Sequence, residues 1–178
     1  MNATPARTHL LERTQVVPRP RSEVFPFFAD ARNLEDITPG FLRFRILPPV
    51  PRPVRAGSRI DYRLSLFGVP LGWRTLIEDF RPEERFVDLQ LRGPYRLWRH
   101  THLFEDVPGG TRVTDRVEYA LPLGPLGKLA HALFVRRTLE RIFDFRRDRI
   151  AERFSPAGPG RPAVAAGRTA PGGAPARS

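Results

Sequence analysis

The feature that most constrains this chain is a change of hydrophobic period at Ser58. From there Ile60, Tyr62, Leu64 and Leu66 alternate with Arg59, Asp61, Arg63 and Ser65, the pattern of a strand with one buried face. Turn signals then recur at Gly68–Pro70, Pro82–Glu84, Gly93–Pro94 and Pro108–Gly110. Between them lie Leu71–Phe80, Arg85–Arg92, Tyr95–Glu105 and Arg112–Leu121. Loops this short join antiparallel neighbours, so these segments form a meander. No repeat or parallel crossover pattern competes with it.

What flanks the meander sets the layers. His9–Val17 reads as a first strand, ended by Pro18 and Pro20. Ser22 is placed to cap a short helix through Glu23, Val24, Phe25, Phe27 and Phe28, with Pro26 tolerated in its first turn. Asp30 is placed to cap a second, Ala31–Ile37, which stops before Pro39–Gly40. Phe41–Leu47 reads as a second strand, and four prolines between Pro48 and Pro53 stiffen the connection that follows. After Gly124–Pro125 the chain turns helical to about Phe154. There Leu129, Leu133, Leu139, Phe143, Ile150 and Phe154 share one arc, while Phe134, Val135, Ile142 and Phe145 lie elsewhere. A helix apolar on two sides sits deep against the sheet, kinks near Val135, or offers surface to a partner.

The order is strand, two short helices, six strands, one long helix: an α+β fold. A long antiparallel sheet must bury one face, and the C-terminal helix is the large element available to cover it. A curved sheet of about seven strands closing on one helix leaves a hollow, one end of which Phe25, Phe27 and Phe28 are expected to plug.

Composition trims the boundaries and the function classes. The 178 residues suit one domain. Of the 24 residues from Ser155 to Ser178, 17 are Ala, Gly or Pro and none is Phe, Tyr, Trp, Leu or Ile, so a disordered tail is expected. Residues 1–8 are expected as a flexible N-terminus, and 9–154 as the folded unit. The absence of Cys removes disulfides, thiolate metal sites and Cys nucleophiles. Met1 to Arg13 lacks the apolar run of a signal peptide, and no 18-residue apolar stretch occurs, so a cytoplasmic protein is expected.

Net charge is +11, and Lys128 is the single lysine among 30 basic residues. A GC-rich coding bias produces that substitution of Arg for Lys; attraction to an anionic surface is the functional alternative. The tail carries Arg161, Arg168 and Arg177 and no acid, so the excess belongs to the folded part. There the arginines are spread along every segment, which argues against a nucleic-acid groove. The steps Arg136–Arg137 and Arg146–Arg147 allow transient contact with a membrane surface.

Hairpin arithmetic names the inward residues. A two-residue loop at Gly93–Pro94 sets Leu89 opposite Trp98, Val87 opposite His100 and Asp88 opposite Arg99. A loop over Val107–Gly110 sets Phe104 opposite Val113, His102 opposite Asp115, His100 opposite Val117 and Trp98 opposite Tyr119. Both registers gather the apolar members on one face. The expected cavity lining is therefore Tyr62, Trp73, Leu89, Trp98, His100, His102, Asp115, Val117 and Tyr119, with Asp88 outward in an ion pair with Arg99. The inward His100, His102 and Asp115 form a satisfied polar network, groups that orient an apolar guest, or an acid–base pair. His-x-His on a strand shares a face and suits a metal, yet no third or fourth ligand is evident, so no metal and no cofactor are expected.

The element order, with Trp73-Arg74-Thr75, Phe86-Val87-Asp88-Leu89-Gln90, Gly93-Pro94-Tyr95, Trp98-x-His100-x-His102-x-Phe104, Gly110-Thr111 and Asp115-x-Val117-x-Tyr119, resembles the bacterial ligand-binding SRPBCC branch of the START and birch-pollen-allergen superfamily. The resemblance covers residues 9–154. It implies a helix-grip fold and an internal cavity for a hydrophobic or amphipathic small molecule such as a lipid, polyketide or isoprenoid, held without catalysis. Two alternatives stand beside it. One is an aromatase/cyclase-like enzyme using His100, His102 and Asp115; the other is a basic interaction module at a ribosome or membrane surface. Nucleotide-sugar epimerisation is not expected, because no G-x-G-x-x-G follows a strand and no Tyr-x-x-x-Lys pair occurs.

Overall fold

A computed structural model describes residues 8–66, 68–122 and 131–155. Strand β1 (His9–Val17) leads into helix α1 (Arg21–Phe28) and a 3₁₀ turn at Ala31–Leu34. The sheet then runs through β2 (Arg45–Leu47), β3 (Arg59–Leu66), β4 (Val69–Arg81), β5 (Arg85–Arg92), β6 (Leu97–Val107) and β7 (Gly110–Ala120). Helix α2 (Arg136–Arg153) follows a wide π-type turn at His131–Val135. All seven strands form one antiparallel sheet in the order β1-β7-β6-β5-β4-β3-β2. The first strand therefore closes beside the last, from His9 opposite Tyr119 to Val17 opposite Thr111. At that seam Gly110 adopts φ +145°, and a Cβ there would fall 2.0 Å from the Val17 carbonyl oxygen. Only glycine lets β7 begin so close to the end of β1.

The boundaries differ from expectation where local chemistry intervenes. Helix α1 starts at Arg21, because the Pro20 carbonyl accepts from the amides of Glu23 and Val24 at 2.9 and 3.2 Å. Ser22 thus lies inside the first turn and does not cap, and Pro26 falls beyond that turn, two residues before the helix ends. Asp30 does cap, accepting from the Arg32 amide at 3.1 Å, but the helix it starts is a single 3₁₀ turn. Of Phe41–Leu47 only Arg45–Leu47 pairs with β3, since a 3₁₀ turn occupies Gly40–Leu42.

The helix is irregular near Val135, with a π-type turn over His131–Val135 before the regular α-helix. A π turn carries more residues per turn than an α-helix, so the apolar arc slips in phase across it. Leu139, Phe143 and Ile150 are buried, with Phe154 beyond the helix end, whereas Leu133 and Phe134 are exposed. The proposed helix start at Gly124–Pro125, the place of Leu129, the tail after Ser155 and the first seven residues lie outside the described residues. No helix among the described residues is long and apolar enough to cross a membrane.

The space between sheet and helix is filled unevenly. At one end Phe25 and Phe28 from α1 meet Phe104 with ring centres 5.2 Å apart in edge-on geometry, and Phe86, Val113, Ile150 and Phe154 complete a dry cluster. Phe27 packs against it from outside. The expected phenylalanine plug is there. Toward the other end Trp98, Val117, Tyr119, Leu139 and Phe143 form a second cluster. Ile60, Tyr62 and Ile77 form a third on the far strands. These two are less tightly closed, and the hollow lies between them.

Candidate functional site

The β6–β7 register is the expected one: His102 faces Asp115, His100 faces Val117, and Trp98 faces Tyr119. The β5–β6 register is not. Asp88 lies opposite His100, and Leu89 opposite Arg99. The cause is the loop. The Gln90 side-chain amide donates to the Tyr95 carbonyl at 2.7 Å and accepts from the Tyr95 amide at 3.3 Å. That clamp holds a longer loop than the two-residue turn and shifts the pairing by one residue. Gly93 makes room for it, since a Cβ there would sit 2.3 Å from Gln90 Oε1.

A one-residue slip exchanges the faces of a strand. Asp88, expected outward against Arg99, instead turns inward to the two histidines. Arg99 pairs with Glu78 at 3.0 Å on the other face. Leu89, expected in the cavity, lies on the opposite face of β5 from Asp88 and does not line the hollow.

The result is a pair of imidazoles held between two carboxylates. His100 and His102 lie with ring centres 3.8 Å apart. Behind them, Asp115 Oδ1 is 2.9 Å from His100 Nε2 and 2.8 Å from His102 Nδ1. The first contact is a directed hydrogen bond; the second is close but badly aligned for one, so its attraction is electrostatic. In front, Asp88 Oδ2 is 3.2 Å from His102 Nε2 and 3.5 Å from His100 Nδ1. Asp88 is the more open carboxylate, with 17% of its side chain exposed against 8% for Asp115. Phe86 stacks on His102 at 4.1 Å, and Phe143 of α2 meets His100 edge-on at 5.5 Å.

Burial and charge compete at each group. Burial alone would raise the Asp115 carboxyl, but the hydrogen bond from His100 and the close approach of the His102 imidazole outweigh it and hold the group well below the usual carboxylate range. Asp88 is also lowered, its burial overcome by the charges of His100 and His102. For His102, burial pushes the imidazole down, and Asp115 and then Asp88 more than restore it, leaving it raised. His100 stays lowered, because burial and the neighbouring His102 prevail over the carboxylates.

This cluster opens on a cavity of about 150 Å³. Of the expected lining, Tyr62, Trp73, Trp98, His100 and His102 border it. Asp115 stands behind the histidines, and Val117 and Tyr119 belong to the packed cluster beside Leu11 and Leu139. The polar ends of two lining aromatics are occupied: the Tyr62 hydroxyl and the Trp73 indole N–H both donate to Thr75 Oγ1, the latter at 3.0 Å. Their apolar surfaces are left to the cavity.

The lining also holds residues that were not among those expected, and three of them carry polar or charged groups that bear on the site: Asp88, Tyr95 and Arg146. Tyr95 is brought in by the Gln90 clamp, for which spacing gives no signal. Arg146 did leave a trace in the sequence. It falls on the arc Leu139–Phe143–Arg146–Ile150, where a cation breaks an otherwise apolar stripe. Its guanidinium lies 5.0 Å over the Phe143 ring, and its buried Nε has no hydrogen-bond partner among the described residues.

A seven-stranded curved sheet gripping a C-terminal helix over a cavity is the helix-grip fold of the START and birch-pollen-allergen superfamily, a hydrophobic ligand-binding architecture. Residues 17–145 match the family described as polyketide cyclase / dehydrase and lipid transport, and the chain belongs to that family. Among solved structures it is similar to a Chromobacterium violaceum protein, at 14% identity over 83% of this chain and 97% of that one, TM-score 0.64. It is also similar to the major latex-like protein 151 of Panax ginseng (12%, covering 84% and 99%, TM-score 0.62) and to a Rhodobacter sphaeroides protein (17%, 83% and 93%, TM-score 0.59). At these identities the likeness concerns the fold. No functionally curated protein matches the chain in sequence.

Proposed function

We propose that this protein binds one hydrophobic small molecule carrying a polar head, with its body among Tyr62, Trp73, Trp98 and Phe143 and its head toward Asp88, His100, His102 and Arg146. The observation that carries this reading is the cavity of about 150 Å³, lined mostly by apolar side chains with Asp88, His100, His102 and Arg146 among them. An apolar cavity of that order accepts a benzene-sized guest. A few convergent polar groups in an apolar lining orient a guest and select its head group. The unpartnered Nε of Arg146 suits a carbonyl or carboxylate oxygen at that head.

Acid–base handling of a bound carbonyl compound is the second reading. It is favoured by the cavity-side position of the His102–Asp88 contact, which places a proton carrier within reach of a guest.

An environment-sensitive apolar dye should bind the full chain with near-unit stoichiometry. Trp98→Ala should weaken it by about tenfold, the loss of one ring contact of roughly 1.4 kcal/mol, whereas Arg99→Ala leaves it unchanged. Equal effects of the two variants, or no saturable binding, would overturn the reading.

A further inference from the structure

We propose that Asp88, His100 and His102 form a binding site for one divalent first-row transition-metal ion at the polar wall of the cavity. The three side chains come from facing positions of two adjacent strands. His100 and His102 are two residues apart on β6 and share its inner face, and Asp88 of β5 lies directly across from His100. Their candidate ligand atoms all lie within 4.8 Å of one another.

The separations suit a shared ion. Oxygen and nitrogen ligands at about 2.0–2.2 Å in tetrahedral geometry lie about 3.3 Å apart. Asp88 Oδ2 is 3.2 Å from His102 Nε2 and 3.5 Å from His100 Nδ1. An ion seated between them would replace those two contacts.

The support behind the imidazoles is equally telling. The nitrogens turned away from Asp88, His100 Nε2 and His102 Nδ1, both lie against Asp115 Oδ1 at 2.9 and 2.8 Å. A carboxylate behind a histidine fixes its tautomer and ring orientation and raises its basicity as a ligand. Here one carboxylate serves two rings. Asp115 is thus a positioning residue, and the buried Nδ1 of His102, which lacks a directed partner, gains an N–H aimed by the ion on its other side.

Charge points the same way. Two carboxylates against two neutral imidazoles leave the cluster at minus two, and a dication cancels that charge where protonating one imidazole cancels only half. Arg146 is the nearby cation, yet it makes no hydrogen bond to Asp88 among the described residues, so both Asp88 oxygens remain free of it. Two nitrogens and one oxygen select iron(II), cobalt(II) or zinc over magnesium or calcium, which take all-oxygen sets. Three protein ligands leave at least one coordination position. All three line the cavity, so that position faces the guest. This inference stands apart from the proposed ligand binding, since a dye can occupy the cavity with or without an ion.

The test uses cobalt(II) alone. The full chain is stripped with a chelator, dialysed, and titrated with cobalt(II) while its visible absorption is followed. One equivalent should bind at micromolar or lower concentration, with the intense bands of four- or five-coordinate cobalt. Proton NMR of the product should show two exchangeable, far-shifted imidazole N–H signals, one for each ring that faces Asp115. Asp88→Asn should weaken binding by at least tenfold and Asp115→Asn by about ten- to a hundredfold, with His9→Gln unchanged. Absence of saturable uptake by the folded wild-type chain overturns the site, as does equal affinity in Asp88→Asn. If Asp88→Asn does not fold, the wild-type NMR decides: shifted signals from histidines other than His100 and His102 reject the assignment.

Discussion

The two ends of the space beneath α2 are built from different materials. At the α1 end, phenylalanines with no polar atoms interlock edge to face around Phe104 and leave only a small space of about 40 Å³ beside them. At the other end, Tyr62 and Trp73 each carry a polar atom that is satisfied within the sheet, and satisfying it fixes where the ring lies. Thr75 takes both donors, and the rings are held back against the sheet. A side chain free to choose its rotamer by packing alone fills space; one tethered by its polar end does not. The hollow follows from the tethering as much as from the curvature of the sheet.

The sharpest way to break this comparison is to remove one ring from the filled end. Phe104→Ala should cost about 3–5 kcal/mol in urea unfolding, because its 2% exposed ring is surrounded on every side. Trp98→Ala should cost clearly less, since part of its ring already faces empty space. Equal costs would mean that the second end is packed as well.

The polar wall comes next. Asp115→Asn should cost about 3 kcal/mol at neutral pH, as expected when one partner of a buried charged cluster is removed. The pH dependence follows from the depressed Asp115 carboxyl in chelator-treated protein. Its contribution is complete above the unfolded value of about 3.9, and is lost as pH falls from there toward the lower folded value. Wild type should therefore lose stability steeply in acid, and Asp115→Asn should show a flatter limb between about pH 5 and pH 2. The raised His102 imidazole acts oppositely. Its contribution is present below about pH 6.5 and fades as pH rises through the folded value. Asp115→Asn should lower the His102 midpoint in an NMR titration. An unmoved midpoint would separate the two residues.

Smaller effects probe the loop and the outer face. Gln90→Ala removes two hydrogen bonds and should cost about 1–2 kcal/mol, with faster amide exchange in β5 and β6 near the loop. Arg99→Ala, on the convex face with Glu78, should change stability by less than about 0.5 kcal/mol. A larger loss at Arg99 than at Gln90 would invert the assigned importance of the two faces.

How much of this was legible in the sequence depended on whether pattern alone decides a register. Along β6 and β7 apolar and polar residues alternate strictly, so only one pairing buries Trp98, Phe104, Val113 and Val117 together, and His102 met Asp115 as expected. In β5 the run Phe86-Val87-Asp88-Leu89 is apolar at both parities, so pattern left the choice to the loop. The loop was decided by a side-chain amide that spacing does not reveal. The tethered aromatics were legible as inward residues, but not as walls of a space, because that depends on Thr75 two strands into the sheet. In sequence Arg146 reads with Arg147 as a surface step, although its place on the arc with Leu139, Phe143 and Ile150 sets it at the cavity.

That dependence on the loop makes the character of the cavity a matter of parity. The residues of β5 come in two interleaved sets, Phe86 with Asp88 and Val87 with Leu89, and the count of residues between Gln90 and Leu97 selects which set points inward. With the present count the histidines meet a carboxylate. Shortening the Gly93–Arg96 stretch by one residue would present Val87 and Leu89 to them instead, exchanging an acidic neighbour for a greasy one while the core positions of β6 and β7 stay in place. A single deletion in a hairpin thus offers relatives of this chain a route from a chamber whose histidines face a carboxylate to one whose histidines face hydrocarbon, with β6 and β7 unchanged.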